Sequence, residues 1–321
     1  MIQQPFTVTR PEEVGVSSAA IRSSIMQIRD QHHLDLHSFL MLRQGRLIWE
    51  QYFRDDEADR RHYMFSVSKS FLSTACGLAQ DRGLLSVDQP LIDFFPDQAH
   101  LFDSDEKRAI TLGQMLSMSS GFENNEGEIL HKTPPAEDMV PLALAQPLAH
   151  RPGRQFNYYT LGSFLISAAF SAVVPEGVHR YLRRELLDPM GFADSQWNVD
   201  DFDRPIGGFG LFLRAYDMAR LGQLYLDKGV WRGEQLLSVD WVKAATSVQV
   251  GNPNNGSPDW CAGYGYQFWM NSFGGFRADG MFGQYIVVLP QSEAVVVMTS
   301  HLTDMQTPLT ILKETLLPGI E

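Results

Sequence analysis

The stretch Tyr63-Met64-Phe65-Ser66-Val67-Ser68-Lys69 decides how this chain is read. An apolar segment gives way there to a helical run over residues 71–85. Three residues make nearly one helical turn, so Ser66 and Lys69 share a face. A serine hydroxyl attacks poorly until a base takes its proton. A lysine held at hydrogen-bonding distance in a dry cleft can lose its own proton and become that base. The helix N-terminus adds backbone N–H groups that favour negative charge nearby. By themselves these residues also allow Ser66 to be an ordinary N-cap with Lys69 in water.

The chain carries its own control. Ser104-Asp105-Glu106-Lys107 has the same spacing but lies in a charge-dense run with no apolar face, which reads as a solvated turn or helix start with Ser104 as its N-cap. Around Ser66, by contrast, Phe65, Phe71, Leu72, Ala75, Leu78 and Ala79 predict a buried helix.

Working outward, Ser17-Ser18 starts a helix whose apolar period ends near Asp30. Residues 38–42 and 47–53 read as strands joined across Gln44-Gly45, a hairpin. Residues 86–241 are mostly helical, most clearly at 161–173 and 216–226. Residues 264–270, 284–289 and 294–299 read as short strands, and 305–317 as a helix. Strands near both termini with helices between them predict an α+β fold. One antiparallel sheet flanked by helices is assembled from residues 1–85 and 242–321, and residues 86–241 form a mainly helical inserted lobe. A site belongs in the cleft between them.

At 321 residues the length fits about two domains. The net charge of −12 argues against nucleic acid or an anionic membrane as partner. Cys76 and Cys261 make no disulfide framework. No stretch approaches the roughly 18 apolar residues of a membrane span. The start, Met1-Ile2-Gln3-Gln4-Pro5, has no basic region or apolar run of a signal peptide, so the expected location is the cytoplasm. His32, His33, Asp35 and His37 cluster like metal ligands without a metallo-hydrolase spacing and read as a polar junction, so no metal or cofactor is expected.

Two further elements stand beside Ser66. Pro152-Gly153-Arg154-Gln155-Phe156-Asn157-Tyr158-Tyr159-Thr160 delivers two tyrosines before an apolar helix, either as proton carriers or as aromatics closing a loop. Ala278-Asp279-Gly280-Met281-Phe282-Gly283-Gln284 offers glycines leading into a strand, where backbone N–H groups approach a ligand, or simply a hairpin turn.

In this order the three elements resemble the serine beta-lactamase-related superfamily, nearest its class C-like esterases and 6-aminohexanoate-dimer hydrolases. The segment Ile110-Thr111-Leu112-Gly113-Gln114-Met115-Leu116-Ser117 is similar to the family's, as are Gly207-Gly208-Phe209-Gly210-Leu211 and Tyr264-Gly265-Tyr266-Gln267-Phe268-Trp269. The resemblance covers residues 10 to 315. It implies a beta-lactamase/transpeptidase-like fold and a metal-free serine hydrolase working through an acyl-enzyme on a small ester or amide. It implies Ser66 as nucleophile, Lys69 as base, Tyr158 as proton donor to the leaving group, and the N–H groups of Ser66 and Met281 as oxyanion donors. Thr160 falls where Asn is usual, and Ala278-Asp279-Gly280 falls on the Lys-Thr-Gly element. Ala278 thus replaces the Lys that helps hold a beta-lactam carboxylate, which implies esters over penicillins. Arg277 is expected on the opposite face of its strand. Phe209 and Trp269 are expected to shape specificity with the loop over residues 122–147. Competing readings are beta-lactamase or D,D-peptidase activity, and a non-catalytic ligand-binding relative suggested by Thr160 and Ala278. The oligomeric state is left open.

Overall fold

The computed structural model describes residues 6–31, 34–125, 127, 129, 137–192 and 194–321. The N-terminal strands β1 (Thr7–Val8), β2 (Leu34–Arg43) and β3 (Arg46–Tyr52) join the C-terminal strands in one sheet. Between them come β4 (His62–Tyr63), β5 (Gln196–Trp197), β6 (Leu211–Leu213), β7 (Val230–Trp231) and β8 (Glu234–Gln235). The C-terminal set is β9 (Trp269–Met270), β10 (Phe276–Gly280), β11 (Gln284–Leu289) and β12 (Ala294–Leu302). The main sheet runs β1-β3-β2-β12-β11-β10-β9. It is antiparallel except for the short parallel β1–β3 pair. The β2–β3 turn falls on Gln44 (φ 52°) and Gly45 (φ 70°), both left-handed, as a two-residue hairpin requires.

The β2–β12 pairing closes the two ends of the chain on each other, setting Val295 against Leu42 and Val297 against Leu40. Alternation then divides the strands between two cores. Leu40, Leu42, Ala278, Ile286, Val295 and Val297 face the helices that follow β4. Phe39, Met41, Tyr285, Val287, Val296 and Met298 face α1 (Ser18–Asp30) and the C-terminal helix (Gln306–Ile311). Covered on both faces, β11 is buried at every position, which is why it reads as a continuous apolar run. The fold is α+β.

At its centre lies α2 (Val67–Asp81), buried throughout residues 67–79. Such a helix has no solvent face, so its polar side chains must find partners inside. Ser68 Oγ accepts from Leu211 N at 3.2 Å, and Ser70 Oγ donates to the Gln267 carbonyl at 2.7 Å. Full burial of Val67, Phe71, Leu72 and Leu78 stabilises the fold by about 1.5–3 kcal/mol each. The helix Thr160–Val173 is buried over residues 161–170. No single helix among the described residues is long and apolar enough to cross a membrane.

Three local expectations are corrected. Residues 264–268 form no strand, only isolated bridges from Tyr264 to Val250 and Trp269. The segment 278–280 does not lead into a strand but ends β10, and residues 281–283 are the hairpin turn to β11. The turn residues Phe282 (φ 64°) and Gly283 (φ 83°) make the reversal. The helix Ala215–Leu226, read as part of the inserted lobe, packs on β2, β11 and β12.

Candidate active site

The segment leading into Ser66 is built around a strained residue. Phe65 holds φ +46°, a region that non-glycine residues rarely occupy, and surrounding rings fix it. Its ring meets Tyr63 edge-on at 4.5 Å and Phe282 at 5.3 Å. The chain reverses there and presents Ser66 as the first residue of α2's cap, its hydroxyl making no capping bond. Lys69 is 1% exposed, so the reading of a lysine in water fails. Its Nζ lies 3.0 Å from Ser66 Oγ and donates to the Gly208 carbonyl at 2.8 Å.

Gly208 is a residue the sequence reading did not assign. A Cβ there would stand 2.6 Å from Thr160 Cγ2 and 3.5 Å from Lys69 Nζ, so only glycine lets this carbonyl reach the lysine. The one sequence signal was the Gly207-Gly208-Phe209-Gly210 cluster, which entered through the family resemblance. Phe209 does not border the cavity; its carbonyl accepts from Trp197 Nε1 at 2.9 Å. Thr160 opens the buried helix with its methyl against Gly208 and likewise does not border the cavity.

Tyr158 and Trp269 stack at 5.6 Å and 19°, and Lys69 Nζ lies 4.9 Å from the centre of the Tyr158 ring. Tyr264 packs edge-on against Trp269 at 4.7 Å, and burial holds its phenol well above the ordinary value. Asn124 Nδ2 donates to the Tyr158 carbonyl at 2.7 Å, tying the tyrosine to the loop over residues 122–147, part of which lies outside the described residues.

The β10–β11 hairpin closes the opposite side. At Gly280 a Cβ would sit 2.3 Å from the Met64 carbonyl, so the glycine lets β10 abut the backbone two residues before Ser66. The next residue, Met281, borders the cavity and is 57% exposed. Ala278, 1% exposed, lies in the core under the sheet and does not border the cavity. Arg277 does point the other way. It is fully buried, pairs with Asp279 at 2.9 Å and lies 4.6 Å from the Trp260 ring.

These elements line an open cavity of about 820 Å³ bordered by Ser66, Tyr158, Trp260, Trp269, Asp279 and Met281. Its charged lining is acidic: Asp279 and Asp304, with no arginine or lysine on the wall among the described residues. Burial pushes the Asp279 carboxyl up, with Arg277 and Lys69 pulling against it. Hydrogen bonds from Thr307 hold the Asp304 carboxyl below its ordinary value. Asp304, Trp260 and Asn255, all on this wall, carried no sequence signal.

The control serine behaves as an N-cap: Ser104 Oγ accepts from Lys107 N at 3.2 Å. The run is not wholly solvated, however. Lys107 is 2% exposed and lies 5.6 Å from the Phe122 ring. Of the clustered ligand types, His32 and His33 lie outside the described residues, while Asp35 and His37 are on β2.

Comparison with known proteins identifies the family. The family model described as Beta-lactamase matches residues 22–313. The 6-aminohexanoate-dimer hydrolase of Paenarthrobacter ureafaciens is 25% identical over 306 residues, covering 84% of this chain and 74% of that protein. Among solved structures, an inferred 6-aminohexanoate-dimer hydrolase from Bacillus anthracis superposes with a TM-score of 0.77 at 18% identity, covering 98% of this chain and 86% of that one. EstCE1, a hydrolase with promiscuous acyltransferase activity, gives 0.76 at 17% identity, covering 94% and 98%. At such identities the two structures show the shared fold.

Proposed function

Because this chain belongs to the beta-lactamase family of hydrolases, we propose that it cleaves small esters or amides through an acyl-enzyme on Ser66. The observation that carries the reading is the 3.0 Å contact between Lys69 Nζ and Ser66 Oγ beside a cavity large enough for a small molecule. Lys69 in its neutral form takes the Ser66 proton as Oγ attacks the substrate carbonyl. The Gly208 carbonyl fixes the amine while this happens. The N–H groups of Ser66 and Met281 hold the oxygen that becomes negative; one such donor is typically worth about 2.7–4 kcal/mol in the transition state. Tyr158 protonates the leaving group, and water then releases the acid.

The acidic wall supports neutral or cationic substrates over a beta-lactam, whose carboxylate would meet Asp279 and Asp304. Arg277, committed to Asp279 and the Met270 carbonyl, is in no position to receive it. The same wall disfavours peptides ending in a free carboxylate.

Intact mass after incubation with a fluorophosphonate and with p-nitrophenyl acetate tests the assignment. Wild type is expected to gain a single adduct on Ser66. Ser66→Ala is expected to gain none and to lose about 10⁴-fold or more in turnover. An adduct of equal yield on Ser66→Ala would sink the reading.

A further inference from the structure

A second cluster of reactive side chains lies outside the cleft. His37 on β2, Glu57 in the turn after β3 and His62 on β4 converge with one ligand-type atom from each, all within 4.8 Å of one another. His62 Nε2 is 2.7 Å from Glu57 Oε1, and His37 Nδ1 is 3.8 Å from the same oxygen. All three residues are more than nine-tenths buried, at 9%, 1% and 8% exposure. Yet both ring nitrogens of His37, both Glu57 oxygens and His62 Nε2 lack a hydrogen bond of normal geometry among the described residues. Their neighbours are ion-pair contacts rather than well-aligned hydrogen bonds, an arrangement that one cation shared by the three side chains would complete.

We propose that His37, Glu57 and His62 bind a divalent first-row cation of the zinc type. Two imidazoles and one carboxylate are a common donor set for such an ion. Tetrahedral ligands about 2.0–2.1 Å from a metal stand roughly 3.3 Å apart, within the spread observed here. The surroundings supply an outer layer as well. The Asp35 carboxylate lies 3.4 Å from His37 Nε2, on the side of the ring away from Glu57, where it orients the imidazole. Arg54 in turn pairs with Asp35, and Arg60 Nε lies 3.3 Å from Glu57 Oε2.

The position suggests a structural role. β4 leads through Met64 and Phe65 directly into Ser66, so the ion fastens the turn carrying Glu57 and the strand entering the nucleophile segment to the main sheet. Ser66 chemistry does not pass through it.

The test begins with wild type stripped by a strong chelator and desalted, then titrated separately with Zn²⁺ and Co²⁺. One equivalent per chain is expected by elemental analysis. Co²⁺ should give the intense visible bands of a four-coordinate site, and Zn²⁺ should shift the ¹⁵N resonances of two imidazoles. A hundredfold excess of Zn²⁺ over its Kd should raise Tm by about 5 °C. Glu57→Gln and His62→Ala should each abolish stoichiometric binding. Should either variant fail to fold, the cobalt spectrum and imidazole shifts of wild type still decide. No stoichiometric ion on wild type would overturn the proposal, leaving a plain His62–Glu57 pair. Unchanged binding in both variants would also overturn it, placing the ion elsewhere.

Discussion

At the scale of single residues, the contrast between Ser66 and Ser104 shows how little a four-residue pattern carries without its surroundings. Both serines precede a lysine by three positions, and both lysines are buried. Lys69 directs its amine at its serine, whereas the Lys107 amine lies 3.8 Å from the Asp103 carboxylate. Lys69→Met is therefore expected to lower turnover of p-nitrophenyl acetate by about 10²–10⁴-fold, the usual contribution of a positioned base. Ser104→Ala should leave adduct formation unchanged while costing about 1 kcal/mol of stability through its lost cap. Steady-state kinetics and thermal melts on the two variants check both. Equal kinetic losses would mean that Lys69 holds the fold rather than moves a proton.

At the scale of elements, the site depends on a hairpin end pressed against a helix start. Gly280 allows this, because its missing side chain leaves β10 in contact with the Met64 carbonyl. In Gly280→Ala the new methyl meets backbone that cannot swing aside as a flexible side chain would. The strand end must move, carrying Met281 N–H away from Ser66. The expected result is a loss of about 10²–10³-fold in kcat with KM changed little, and a destabilisation of about 1–3 kcal/mol. Retention of full kcat would remove Met281 from the oxyanion site.

At the scale of the whole molecule, the proposed preference against anionic substrates is a matter of charge distribution. The net charge of −12 and the acidic cavity wall act in the same direction against anions. Asp304 lies exposed on that wall and accepts hydrogen bonds from Gln306 N and Thr307 N at the start of the last α-helix, a role asparagine can keep. Asp304→Asn should raise nitrocefin turnover about two- to fivefold relative to p-nitrophenyl acetate. That difference should shrink as salt is added, since the charge is screened. A ratio unaffected by the substitution at low salt would show that the wall does not select by charge.

Much of this was legible from local sequence, for reasons that act over a few residues. The Ser17 cap and the apolar period after it define α1. Gln44-Gly45 defines the first hairpin, and the spacing of Ser66 and Lys69 puts both on one face of α2. The order of the three motifs carried the family. Tertiary structure alone decided the contacts between distant segments. Lys69 and the Gly208 carbonyl are 139 residues apart. No periodicity put Asp304 on the cavity wall, or Ala278 beneath the sheet rather than on that wall. The spacing of His32, His33, Asp35 and His37 argued against a metal, whereas folding brought His37 to Glu57 and His62 instead. Caps, turns and helical faces are fixed by neighbours along the chain. Which strand ends, carbonyls and carboxylates meet across the cleft is fixed by sheet register and by α2 packing on it, interactions that exist only once the chain has closed.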